Sequence, residues 1–152
     1  MTDIYQNLKN NNLSLPSASS PVGAYVMSKQ EGSLLYTSGH IPFDEAGQLI
    51  TGRVGKDLST EQAYQVAQRI ALQLLATIEQ SIGDLNKIRE MVKVTGFVQC
   101  TESFKDHAKV LNGASELFAM LLGDKGKAAR SAVGVYSLPL EVPVEIEAII
   151  AI

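Results

Sequence analysis

The stretch that most constrains this chain is its end, Arg130-Ser-Ala-Val-Gly-Val-Tyr-Ser-Leu-Pro-Leu-Glu-Val-Pro-Val-Glu-Ile-Glu-Ala-Ile-Ile-Ala-Ile152. Two runs rich in branched apolar residues flank a segment holding Pro139 and Pro143, a pattern that reads as strand, turn and strand. The chain is therefore expected to close in a hairpin-like pair. Into this apolar pair the sequence sets three charges, Arg130, Glu145 and Glu147. Alternate residues of a strand point to opposite faces, so Arg130 shares a face with Ala132 and Gly134, while Glu145 shares one with Glu147, about 6.8 Å away. The small neighbours should leave space above Arg130. A guanidinium over such a floor can bind a carboxylate through two parallel hydrogen bonds, a geometry lysine cannot reproduce. Equally, Arg130 can pair with Glu145 or Glu147 across the sheet or across a subunit contact. Two carboxylates against one arginine leave an acid over, and a carboxylate in a partly dry site has its pKa raised toward the range useful for proton transfer.

Residues 1–20 are polar and turn-rich, with Asn10-Asn-Asn12 and Ser17-Ala-Ser-Ser20, and read as an arm without a motif, either a lead-in or a strap. Residues 21–152 read as a single domain. Within it, residues 24–27 and 34–38 are short strand candidates that should pair around Gly32. A long loop with Gly39, Pro42, Gly47, Gly52 and Gly55 follows, and long structured loops are often binding loops. Ser59 and Gln62 form a capping box. Apolar residues at helical spacing run from Ala63 through Ile70 and Leu74 to Ile82, and Gly83 stops the helix.

Residues 88–100 alternate like a strand in which Gly96 marks a bulge, and a second helix is expected from Ser103, lined by Phe104, Ala108, Leu111, Ser115, Phe118 and Leu122, to a stop at Gly123. The resulting order of strands and helices predicts an α+β two-layer sandwich, a mixed sheet with two helices on one face. No helices remain to cover the other face, which carries Val, Ile and Tyr. A homo-oligomer follows as the expectation.

Other classes are disfavoured by composition. No apolar run approaches the ~18–20 residues of a membrane span, and the start lacks the features of a signal peptide, so a cytoplasmic protein is expected. A net charge of −3 with 13 basic residues scattered along the chain offers no basic stripe, which argues against a nucleic-acid partner. Cys100 is the only cysteine and the two histidines lie far apart in sequence, so neither a disulfide, a redox pair nor a metal site is expected.

The segment Ala129-Arg-Ser-Ala-Val-Gly-Val-Tyr-Ser-Leu-Pro139 with Val144-Glu-Ile-Glu-Ala-Ile149 resembles the C-terminal signature of the Rid (YjgF/YER057c/UK114) family. Three upstream segments extend the likeness over roughly residues 20–152: Gly23-Ala-Tyr-Val26, Tyr36-Thr-Ser-Gly-His-Ile-Pro42 and Leu111-Asn-Gly-Ala-Ser-Glu-Leu-Phe118. The resemblance implies a chorismate-mutase-like fold and a homotrimer with ligand sites in clefts between subunits. It also implies an enamine/imine deaminase that hydrolyses 2-aminoacrylate-like 2-imino and enamine acids to 2-keto acids and ammonia.

By position it makes Arg130 the clamp for the substrate carboxylate and Glu145 the group that handles water and proton, leaving Glu147 as a structural partner. Tyr25 and Ser38 would line the pocket and Gly39 would allow close backbone approach. Asn112 matches as well, with a helix-capping or packing role as the alternative to a pocket role. No cofactor is needed, because an imine carbon is already electrophilic. The family's cysteine two residues after the arginine is Ala132 here, whose backbone carbonyl would remain to hold water. His40 stands where glutamine is common, either as a pocket residue or as a polar residue at a turn. These departures, with the N-terminal arm, suggest a divergent subgroup and leave open a non-catalytic trimer that binds small carboxylates or protein partners. An endoribonuclease, an activity reflected in the family's older names, is a third and weaker reading.

Overall fold

The computed structural model describes residues 3–152. The sheet has five strands, β1 (Ser28–Glu31), β2 (Leu34–Thr37), β3 (Glu90–Gln99), β4 (Ala129–Val135) and β5 (Val144–Ala151), in the order β1-β2-β5-β3-β4. All neighbours are antiparallel except β3 and β4. Helices α1 (Ile4–Asn10), α2 (Thr60–Ile82) and α3 (His107–Leu122) complete the chain. The architecture is the expected α+β mixed sheet.

Local chemistry explains the best-read element. Ser59 Oγ accepts from the Gln62 amide at 3.1 Å while Gln62 Oε1 accepts from the Ser59 amide at 2.8 Å, which satisfies two otherwise orphaned donors at the start of α2. Gly83 ends the helix with φ 80°, a conformation open to glycine. Ala63, Ala67, Ile70, Leu74 and Ile78 along one face of α2 are fully buried. Their apolar stripe packs with α3 and the sheet into one core with Val94, Val98, Leu111, Phe118, Ile146 and Ile150.

Two glycines set how closely the layers approach. A Cβ at Gly113 would sit 2.0 Å from the Tyr64 carbonyl oxygen, so α3 and α2 touch backbone to backbone there. A Cβ at Gly96 would sit 2.1 Å from Leu111 Cδ1. Gly96 is therefore the seat of α3 on β3 rather than the expected bulge, and the irregularity in β3 falls between Met91 and Lys93.

The C-terminal strands do not form the expected hairpin. β3 lies between them, β4 parallel to it and β5 antiparallel. Helix α3 returns the chain to the start of β3, so β4 pairs in parallel as in other strand–helix–strand units. The connection to β5 must then cross the end of β3. Gln99, fully buried there, secures the crossing: its amide donates to Pro143 O at 2.9 Å and its Oε1 accepts from the Leu138 amide at 2.8 Å.

Three other expectations shift. The first hairpin forms at residues 28–37 rather than 24–38, because the two-residue loop at Gly32, φ 59°, pairs Glu31 directly with Leu34. Helix α3 begins at His107 instead of Ser103, since Val54 extends the strand's pairing through Thr101, which donates to Val54 O at 3.0 Å. The polar N-terminal stretch carries helix α1, capped by Asp3 and docked into the core by Ile4 and Leu8, while Asn7 donates to Leu121 O at 2.9 Å. Its first two residues lie outside the described ones.

Candidate functional site

Arg130 lies on the sheet edge, in β4, opposite buried Val94 and hence on the face that α3 covers. Asn112 and Ser115 are three residues apart on α3 and so share a face. Both accept from Arg130 Nη1, at 2.9 Å to Asn112 Oδ1 and 3.1 Å to Ser115 Oγ. Asn112 is mid-helix, six residues past the cap position Asp106, so it caps nothing and instead aims the guanidinium. The Nε and Nη2 edge, the fork that grips a carboxylate, has no protein acceptor among the described residues. Ala132 follows on the same face opposite Gly96 and packs against the core, so α3 occupies part of the space expected above the arginine.

Glu145 and Glu147 are elsewhere. They pair with Phe97 and Thr95 of β3, on the parity opposite to Val94, Gly96 and Val98, and so face away from the helices. β3 separates the two strands and the register offsets them by three residues, which puts Arg130 and Glu145 on opposite faces and roughly 14 Å apart along the sheet. Within one chain neither glutamate pairs with the arginine, so the intrasheet ion pair is not formed.

Glu145 has its own surroundings. A Cβ on Gly39 would lie 2.8 Å from its Oε1 and 2.9 Å from its Cδ, so the carboxylate rests on the Gly39 backbone. Burial, and then the nearby charge of Glu147, raise its pKa above the ordinary 4.5. Ser38, next to Gly39, donates its hydroxyl to Val26 O and its amide to Met27 O at 2.9 Å, and so ties the segment carrying half-exposed Tyr25 to β2.

His40 is not at the surface. Its ring is buried, with Nδ1 2.8 Å from Ser38 O and Nε2 2.7 Å from the Thr77 hydroxyl on α2. A carbonyl can only accept, so Nδ1 carries the proton. Burial lowers the ring's pKa from 6.5, so it is neutral and Nε2 accepts from Thr77.

The predicted residues thus fall into two halves, Arg130 with Asn112 on the α3 side and Gly39 with Glu145 on the other face, where neighbouring Ser38 is bonded to the backbone of the segment that carries Tyr25. Sequence reasoning missed Ser115, which it placed among the packing residues of its helix. Its signal was a second polar side chain three positions from Asn112 on an otherwise apolar face. Among the described residues no three metal-ligating side chains converge.

A family model described as "YjgF/chorismate mutase-like, putative endoribonuclease" matches residues 6–146. The chain belongs to the Rid (YjgF) family. Among its Rid relatives, Protein TCP17 of Trypanosoma cruzi is 34% identical over 145 residues, 95% of this chain and 91% of the relative. The 2-iminobutanoate/2-iminopropanoate deaminase of Salmonella typhimurium is 33% identical over 132 residues, covering 87% and 90%. The crystal structure of Atu1372 from Agrobacterium tumefaciens, a protein of unknown function, superposes with a TM-score of 0.89 at 40% identity over 98% of this chain and 91% of that one. No helix of the described residues is long and apolar enough to cross a membrane.

Proposed function

We propose that this Rid protein hydrolyses reactive 2-imino and enamine acids, such as 2-aminoacrylate, to 2-keto acids and ammonia, at sites completed by a second copy of the chain in a homotrimer. The observation that carries the reading is the Arg130 guanidinium, held by Asn112 and Ser115 through Nη1 with its Nε and Nη2 edge open. That edge suits the substrate carboxylate. Glu145, on the opposite face, can reach a carboxylate bound at Arg130 only from another subunit. The helix-free face of the sheet, where Tyr36 and Val133 are about two-fifths exposed, is the apolar surface such a subunit would cover.

In the proposed reaction Arg130 fixes the imino acid, and Glu145 takes a proton from water as its oxygen attacks the electrophilic carbon. That proton passes to the imine nitrogen to give the amino alcohol, whose hydroxyl proton then moves through Glu145 to the nitrogen as the C–N bond breaks, ammonia leaves and the keto acid's carbonyl forms. The raised pKa of Glu145 suits both transfers. Positioning by Arg130 contributes the rest, with no cofactor, and Tyr25, Ser38 and Gly39 would form the wall behind Glu145.

The test generates imino acids in situ with an amino-acid oxidase and follows their loss by semicarbazone formation. Acceleration by the wild type that Arg130→Ala abolishes supports the reading; no acceleration refutes it. Ala132 favours a second reading, a binder of small carboxylates without turnover, because a thiol usual in relatives is missing there. Calorimetric 2-keto-acid binding without imine hydrolysis would select that alternative.

A further inference from the structure

Away from both halves, three elements bring a thiol, an imidazole and a guanidinium together. Cys100 directly follows β3, His107 opens α3, and Cys100 Sγ lies 3.3 Å from His107 Nε2. Gly134 of β4 faces them. A Cβ there would sit 2.4 Å from Nε2 and 3.1 Å from Sγ, so a larger residue at 134 would displace the pair. Phe104 packs edge-on against the imidazole, with ring centroids 5.3 Å apart.

Arg53 arrives from the loop before α2. One Nη1 hydrogen bonds to Cys100 O at 2.9 Å, and the guanidinium carbon is 5.9 Å from the ring centroid of Tyr136, which is 91% exposed. Its side chain has no carboxylate partner among the described residues. These groups line a cavity of about 820 Å³, within the range of small-molecule sites.

We propose that this cavity is a second site, in which Cys100, with His107 as its base, adds covalently to small carboxylates bearing an activated carbon–carbon double bond while Arg53 holds the carboxylate. Burial pushes the Cys100 thiol up and Arg53 draws it partly back, so the sulfur rests as a thiol and requires a base. His107 Nε2 takes the Sγ proton as the sulfur attacks the β-carbon. The double-bond pair moves to the α-carbon, which takes the proton back from His107. The product is a thioether, and no oxidant, metal or leaving group is involved. Glu102 also lines the cavity, so anion selectivity requires Arg53 to outweigh it.

The experiment compares monomethyl fumarate, an anion, with uncharged dimethyl fumarate on the full chain at neutral pH. Intact-mass spectrometry follows addition, Cys100→Ser locates it, and N-acetylcysteine is the reference thiol. The anion-to-neutral rate ratio at Cys100 is expected to exceed the reference ratio by about tenfold, the effect of one charge-assisted contact. Arg53→Met removes that excess, Glu102→Gln increases it, and His107→Asn slows both reagents. A wild-type ratio equal to that of N-acetylcysteine overturns the proposal without recourse to any variant. So does an excess that survives Arg53→Met.

Discussion

The contact between Gly39 and Glu145 offers the sharpest separation of structural from chemical roles. In Gly39→Ala the new Cβ would lie 2.8 Å from Glu145 Oε1, 2.9 Å from Cδ and 3.1 Å from Cγ. Ordinary contact requires the carboxylate to withdraw by about 0.5–1 Å. Gly39 is not among the positive-φ glycines, so alanine fits its backbone. The obstruction is the end of a flexible side chain on the helix-free face, and a small rotamer adjustment of that kind costs about 1 kcal/mol. Catalysis is far less tolerant, since a misplacement of about 1 Å reduces rates by about 100-fold. Gly39→Ala is therefore expected to unfold within about 1 kcal/mol of wild type, to retain 2-keto-acid binding at Arg130, and to lose about two orders of magnitude in kcat for imine hydrolysis. Denaturant melts, calorimetry and the semicarbazone assay read the three quantities separately. A variant with unimpaired kcat would refute Glu145 as the water-handling group, and a loss of several kcal/mol in stability would refute the packing argument.

Three further outcomes follow from the same geometry. Arg130→Lys should weaken 2-keto-acid binding by about tenfold or more in calorimetry, because an ammonium cannot satisfy Asn112 and Ser115 and also present a planar fork. Gly113→Ala should cost about 3 kcal/mol or more in denaturant melts, as its Cβ would lie 2.0 Å from the backbone oxygen of Tyr64, which cannot move alone. His40 should make stability pH-dependent. Its folded pKa is depressed below 6.5, so an unfolded chain takes up a proton that the fold refuses as pH falls. The contribution is complete above pH 6.5 and declines below it, by up to about 1.4 kcal/mol per pH unit. Glu145, whose pKa is raised, acts in the opposite sense as pH rises above 4.5, so the His40 effect is read as the difference between wild type and His40→Gln in urea melts across this range.

The sequence by itself determined what depends on neighbours along the chain. The capping box of α2, the glycine that ends it, the alternation within β3 and β5, and the local motifs around Arg130 and Glu145 were all legible, and the motifs carried the α+β fold with them. Alternation states which residues of one strand share a face, but it says nothing about how that face relates to the next strand. Only the tertiary structure decided that β3 separates β4 from β5, and so that Arg130 faces α3 while Glu145 faces away. Likewise, the helical spacing of Asn112 and Ser115 showed that they lie together, but not that a strand edge brings an arginine to them. The union of Cys100 with His107 and Arg53 was invisible for the same reason. Such juxtapositions come from long-range pairing and from which face the helices cover, and both are settled when the whole core is buried at once.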